Sequence, residues 1–266
     1  MIRATILGCG SSGGVPRLGN RWGECNPDNP RNRRRRCSLL VERVGQDGAT
    51  RLLIDTGPDL VPQLLDAGVA ELDAVAYTHA HADHTHGIDD LRQIVFNIGS
   101  RLPVWADAQT TEALKTRFGY AFETPLGSSY PPICDLYPIR GPFAVQGAGG
   151  PIEVTPFTVN HGDIDALGFR IGGNGQSLIY LPDVLSIPEE AWSVIKGCEV
   201  FICDALRRTP HPSHAHLALT LEWLARSGCV QGVVTNMHID LDYDAVMAET
   251  PDNVVPAYDG MQIELT

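Results

Sequence analysis

Apolar and polar positions alternate between short apolar runs and amphipathic stretches. Runs of strand character recur at residues 2–7, 38–44, 51–54, 74–77, 152–159, 166–171, 177–181, 200–203 and 232–235. Helical spacing appears at 88–96, 109–118, 189–195 and 217–226, the last reading LALTLEWLAR with one apolar face. Gly172-Gly173-Asn174-Gly175, between two of the strands, predicts a hairpin turn. The order is hairpins first, then strand–helix alternation, then the same pattern again. No linker separates the halves; the Gly/Pro-rich stretch 141–151 is too short for a flexible tether. Residues 1–266 therefore read as one α/β domain with two similar halves, sheets inside and helices outside. Residues 118–138 stand out as long and irregular, with Tyr120, Phe122, Tyr130 and several prolines. A cover over a site and a plain surface excursion are equally good accounts of them.

Composition adds limits. With 20 basic and 32 acidic residues the formal charge is −12, which argues against duplex DNA, whose non-specific binding relies on Lys and Arg at phosphates. A small anionic substrate stays open, because a bound metal inverts the local field. The start MIRATILGCG lacks a signal-peptide core, and no apolar run reaches membrane-spanning length. Seven scattered cysteines, an odd number, give no disulfide framework, so a cytoplasmic location is expected.

Two local patterns invite over-reading. Gly8-Cys9-Gly10-Ser11-Ser12-Gly13 fits the dinucleotide fingerprint letter by letter, but no helix opens after it, and no acidic residue ends a second strand about twenty residues on. A tight glycine turn is the better account. The run of Arg31, Arg33, Arg34, Arg35 and Arg36 reads first as solvated or carboxylate-paired; a phosphate clamp is the sharper alternative.

The chemistry concentrates in THAHADHTHG, residues 78–87, which begins where a strand ends. His79 and His81 can face one way from extended backbone, and Asp83 and His84 follow where the chain turns towards a helix. Two displaced pairs suit two adjacent metals better than one. His161, Asp183 and His238 offer further ligand types at three other strand ends, and imidazole with carboxylate suits zinc, with manganese or iron allowed.

This pattern, with His161, Asp183 and His238 following in order, resembles the metallo-β-lactamase-fold hydrolase superfamily. The resemblance implies a four-layer αββα sandwich with the site at the edge between two sheets. It implies His79, His81 and His161 on one metal, Asp83, His84 and His238 on the other, Asp183 bridging, and Asp55 as a supporting carboxylate. His86 has no slot and reads as a surface or supporting residue, and His211 as a loop residue. Asp240 and Asp242 either orient His238 or are simply solvated. His214, just before the helix at 217, falls where the phosphodiesterase branch carries a histidine that assists the leaving group or holds phosphate, and matches better than His216. That branch includes the cyclic-phosphate phosphodiesterase of phosphonate breakdown, which LGCGSSGGVP and RRRRCSLLVE also resemble. The cyclic-phosphate enzyme holds a structural zinc through cysteines of its N-terminal loop; here that loop keeps only Cys25, and Leu241 stands at the histidine position, so no structural zinc is expected.

The expectation is a dinuclear metal phosphodiesterase, with zinc or manganese, acting on a small cyclic phosphate or nucleotide, with Asp83 and His214 as catalytic residues. It carries no membrane partner and leaves a homodimer open. A tRNA-processing endonuclease is disfavoured by the lack of a long basic arm, and a cofactor-biosynthesis hydrolase is a further alternative. Glyoxalase and β-lactam hydrolysis use no histidine in the His214 role. A metal-binding scaffold would need neither the full ligand set nor His214.

Overall fold

The computed structural model describes residues 1–173 and 176–265, so the tip of the expected hairpin turn, Asn174 and Gly175, lies outside the described residues. Among the described residues fourteen strands form two sheets of seven. The first contains β1 (Ile2–Gly8), β2 (Ser38–Val44), β3 (Ala49–Ile54), β4 (Ala74–Ala76), β5 (Leu102–Ala106) and β6 (Cys134–Pro138) in that order. The second contains β7 (Phe143–Val145), β8 (Ile152–His161), β9 (Ile164–Ile171), β10 (Leu178–Leu181), β11 (Val200–Asp204), β12 (Gln231–Thr235) and β13 (Val254–Pro256). The last strand, β14 (Met261–Leu265), crosses back and pairs antiparallel with β1, Ile6 opposite Met261. Each sheet changes character midway: β1–β3 and β7–β10 pair antiparallel, whereas β3–β6 and β10–β13 run parallel. The repeated pattern in the sequence is this repeated half-sheet.

Helices α1 (Leu60–Ala67), α3 (Leu91–Ile98) and α4 (Ala108–Phe118) cover the outer face of the first sheet, and the four-residue α2 (Ala82–Thr85) lies between α1 and α3 in sequence. Helices α5 (Trp192–Ile195), α6 (Leu217–Ser227) and α7 (Tyr243–Glu249) cover the second. The layers are αββα. Alternation along the strands explains them. Ala4, Ile6, Leu39, Val41, Leu52 and Ile54 enter the core between the sheets. Leu7, Leu40 and Leu53 point the other way, onto Leu60, Leu64, Leu91 and Leu114 of the helices. With both faces buried, these strands read as unbroken apolar runs, and each fully buried Leu or Ile is worth about 1.5–3 kcal/mol.

Several expectations change in detail. Residues 88–96 are a 3-10 turn, Ile88–Asp90, followed by α3; residues 189–195 are a 3-10 turn, Glu189–Ala191, followed by α5. The segment 118–138 is not a free excursion along its length. Ala121, Phe122 and Ile133 are buried beneath α4, and the segment ends as the edge strand β6. Tyr120, Leu126 and Tyr130 remain exposed. No helix among the described residues is long and apolar enough to cross a membrane.

Candidate metal centre

The centre sits where the strands of both sheets end. After β4 the chain passes through Tyr77 and Thr78 to His79, then turns into α2. Two glycines let this loop lie directly on the Asp55–Gly57 turn. A Cβ on Gly57 would meet the Asp83 carbonyl oxygen at 2.4 Å, and one on Gly87 would meet the Gly57 carbonyl oxygen at 2.2 Å. The contact is sealed by Thr56 N–H to the His84 carbonyl, and Gly87 N–H to the Thr56 carbonyl, both 2.8 Å.

Asp55 organises the histidines. Its backbone is left-handed (φ 64°), a strained setting for a non-glycine residue, and its carboxylate is fully buried. One oxygen accepts from Thr78 N–H at 2.8 Å; the other accepts from Thr78 Oγ1 at 2.7 Å and His84 Nδ1 at 2.8 Å. Because Thr78 Oγ1 donates to Asp55, it accepts from His79 Nδ1 at 3.0 Å. One carboxylate thus sets the tautomer of two imidazoles, leaving Nε2 of His79 and His84 as lone-pair nitrogens. His161 is fixed the same way, its Nδ1 donating to the Ser213 carbonyl at 2.6 Å, and Asp240 accepts from His238 Nδ1 at 2.9 Å.

The lone pairs converge. Ligand atoms of His79, His81 and His161 lie within 4.8 Å of one another, as do those of His79, His84 and Asp183, and of His161, Asp183 and His214. His161 Nε2 faces His81 Nδ1 at 3.3 Å. His84 Nε2 lies 3.0 Å from Asp183 Oδ2 and 3.6 Å from Asp83 Oδ2. His238 stands outside these close groups, on the loop after β12, and Asp83 adjoins them beside His84.

Do these residues fit a metal? Buried polar atoms are nearly always hydrogen-bonded. His79 Nε2 is buried without a partner, and so is Asp183 Oδ2, whose 3.0 Å approach to His84 is a charge contact without hydrogen-bond geometry. Two orphaned ligand-type atoms in one cluster are what a cation satisfies. The electrostatics agree. Burial holds His79 well below the ordinary imidazole range, and burial lowers His81 and His161 as well, which favours the neutral form that ligation requires. Burial opposes charge on Asp183, yet His84 and His79 hold its carboxyl well below the usual range. His84 is pushed up against its own burial by Asp183 and Asp55.

His214 enters from the segment before α6. Its Nδ1 donates to Asp204 Oδ2 at 2.8 Å and lies 3.6 Å from Asp183 Oδ1. Asp204, the last residue of β11, is fully buried; burial lifts its carboxyl to about 6, and against burial it lifts His214 to about 9. Asn236, with a left-handed backbone (φ 60°), donates to both Asp183 Oδ1 and Asp204 Oδ1 at 3.3 and 3.2 Å. Neither Asp204 nor Asn236 was singled out from sequence. Asp204 had a signal, since FICDAL repeats the apolar-strand-then-Asp form of LLIDTG at Asp55 and YLPDV at Asp183.

Other candidates fall further out. His86 is exposed and packs edge-on against Phe118, ring centroids 5.5 Å apart. His211 takes hydrogen bonds from Ser213 and lies 5.1 Å, ring to ring, from His214. His216 is the residue preceding α6. Asp242 caps α7 through Ala245 N–H at 3.0 Å, so of the two acids only Asp240 orients His238. Each arginine of the run contacts protein. Arg35 pairs with Asp66 at 2.6 Å and Arg36 with Asp59 at 2.9 Å; Arg31 lies over Tyr243 and Tyr258, and Arg33 over Trp22. Arg34 is buried.

A sandwich with imidazole and carboxylate ligands gathered at the strand ends defines a metal-dependent hydrolase. The chain belongs to the β-lactamase superfamily, whose domain model matches residues 50–239. A solved structure of a new diphosphatase from the PhnP family is 31% identical, with a TM-score of 0.85 over 98% of this chain and 96% of that one. Zn(2+)-bound PqqB from Methylobacterium extorquens shares the fold at 18% identity and a TM-score of 0.77, over 99% of this chain and 100% of its own. A curated relative from Porphyromonas gingivalis (strain ATCC BAA-308 / W83), named an octanoyltransferase, is 31% identical over 98% of this chain. The chain spans about half of that relative, 51% of its length.

Proposed function

We propose that the chain is a dinuclear metal-dependent phosphodiesterase acting on a small phosphodiester or cyclic phosphate, of the phosphoribosyl cyclic phosphate kind. The observation that carries this reading is the His214–Asp204 pair beside the ligand cluster. Its Nδ1 is committed to Asp204, which leaves Nε2 to carry a proton to a departing alkoxide or to hold a phosphate oxygen. Two ions, zinc or manganese, one held by His79, His81 and His161, the other by Asp83, His84 and His238, with Asp183 shared, would supply an activated water and polarise the phosphoryl oxygens. Asp55 keeps two of the imidazoles in the ligating tautomer, and Asp83, on the more exposed side of His84, holds the attacking water by a hydrogen bond. Similarity to the PhnP-family diphosphatase favours a second reading, a diphosphate as substrate.

The test is to load the protein with zinc or manganese, count ions per chain, and assay nucleoside 2′,3′-cyclic phosphates, bis(p-nitrophenyl) phosphate, diphosphate esters and a precursor tRNA. Two ions with turnover of the cyclic esters is the expected result. Turnover of diphosphates alone moves the assignment to the second reading, and turnover of no phosphoester with both ions bound overturns it.

A further inference from the structure

His238, a proposed ligand, stands outside the close ligand groups: it lies on the loop beyond β12, past the left-handed Asn236. Its backbone is nonetheless gripped on both sides. The N–H donates to the Leu206 carbonyl at 2.9 Å, and the carbonyl accepts from Arg34 Nη1 at 3.4 Å. Arg34 is only 2% exposed and among the largest fully buried side chains. Among the described residues no carboxylate pairs with it. Its Nη2 donates to Asn32 Oδ1 at 3.2 Å, its Nη1 also reaches Cys25 Sγ at 3.8 Å, and its Nε has no partner.

Burying a charge without a counter-charge is costly, so a residue kept in that state marks a position that the fold uses. The surroundings show the use. The loop around Cys25 is stapled to the segment after His238: Glu24 N–H to the Ile239 carbonyl at 2.8 Å, Cys25 Sγ to the Leu241 carbonyl at 3.5 Å, and Asn32 Nδ2 to Asp242 Oδ2 at 2.7 Å. Tyr243 N–H returns a bond to Asn32 Oδ1 at 2.8 Å. Arg34 lies at the middle of these cross-links. Its guanidinium does by hydrogen bonds what a structural ion does by coordination.

We infer that Arg34 is the positioning residue for His238, a buried cation that ties the N-terminal loop to the segment carrying this ligand. The inference rests on the reading of His238 as a metal ligand. Arg34→Met keeps the side chain's bulk and removes the fork of donors. It should leave the chain folded by circular dichroism and lower the affinity for one of the two ions by about 10–100-fold, the usual effect of losing a residue that orients a ligand. Affinity is read by competition with a chelator, without any activity assay. Should Arg34→Met fail to fold, Arg34→Lys, which keeps the charge and loses the fork, should show the same one-ion defect at smaller size.

A double-mutant cycle with His238→Ala separates positioning from general stability. If Arg34 acts through His238, Arg34→Met adds nothing to the ion affinity of His238→Ala. Wild-type affinity for both ions in Arg34→Met, or a full extra loss on top of His238→Ala, overturns the inference while His238 stays a ligand. His238→Ala that itself keeps both ions at wild-type affinity overturns the ligand reading and the inference together.

Discussion

Residues 79–87 and residues 204–240 both furnish the centre, but they are held by different means. The first block is a single loop locked by backbone. Its two bonds to Thr56 and the glycine contacts at Gly57 and Gly87 seat the backbone of four ligand-type residues, and the Asp55 carboxylate then orients two of their imidazoles. The second region gathers its groups from separate strand ends and joins them through side chains: Asp204 to His214, Asn236 to Asp183 and Asp204, Asp240 to His238. A site held by backbone resists small changes and fails with the fold. One held by side chains can lose a single function while the fold stands, so substitutions in the two regions should separate stability from activity.

Asp183 belongs to both regimes, since it meets His84 of the first block and His161 and His214 beyond it. Asp183→Ala should therefore have the largest effect. Ion affinity should fall at both positions, and activity by more than the ~10²–10⁴-fold typical of a lost proton donor. A protein that keeps either ion at wild-type affinity would break the idea of a shared ligand.

His214→Ala comes next and sharpens the contrast. Both ions and the fold should survive, while turnover of a substrate with a ribose-hydroxyl leaving group drops ~10²–10⁴-fold. The defect should shrink for bis(p-nitrophenyl) phosphate, whose phenolate departs without help. Equal losses on the two esters would assign His214 to phosphate binding instead.

Gly87→Ala attacks the backbone-locked block. A methyl 2.2 Å from the Gly57 carbonyl forces the loop off its seat, and overpacking of this kind costs about 1–3 kcal/mol. A lower urea midpoint is the expected outcome, and an unchanged midpoint would show that the loop is not locked by this contact.

The smallest effect lies away from the centre. Asp259, half-buried, accepts from the amides of Cys9 and Arg35, yet burial lifts its carboxyl from 3.8 to about 7. Between those values the folded chain holds a proton that the unfolded chain has released. This group's contribution to stability therefore declines as pH rises through that window and levels off above it. Asp259→Asn should flatten that slope, as urea titrations at mildly acidic and mildly alkaline pH would show. A variant with the wild-type slope would remove Asp259 from the effect.

The sequence made the longer elements and the ligand block legible for one reason: both are dense local patterns. Runs buried on two faces announce their strands, and four histidines within residues 79–86 announce a centre. What stayed hidden depends on distant partners. Strands β5, with Pro103 inside it, and β7, just after Gly141-Pro142, are short and owe their existence to their neighbours in the sheet. Helix α1 carries Pro62 in its first turn, which masks its amphipathic face, and α7 is only seven residues long. Strand β14 alternates cleanly at Met261–Leu265 but is too short to be distinguished from a tail without β1 beside it. Asp204 and Asn236 escaped because they act only through groups brought to them by the sheet. Asp240 and Asp242, two residues apart, could be told apart only by where the chain turns.

The pairing of β14 with β1 has a consequence for how the molecule is made. A ribosome releases β1 long before β14, so this edge of the first sheet waits until Met261–Leu265 has been synthesised. Until then β1 presents an open row of amides and carbonyls, the kind of template on which neighbouring nascent chains pair. Contacts so far apart in sequence also form slowly. Slower synthesis at low temperature, or a chaperone that shields this edge, should raise the soluble yield more than any change at the metal centre.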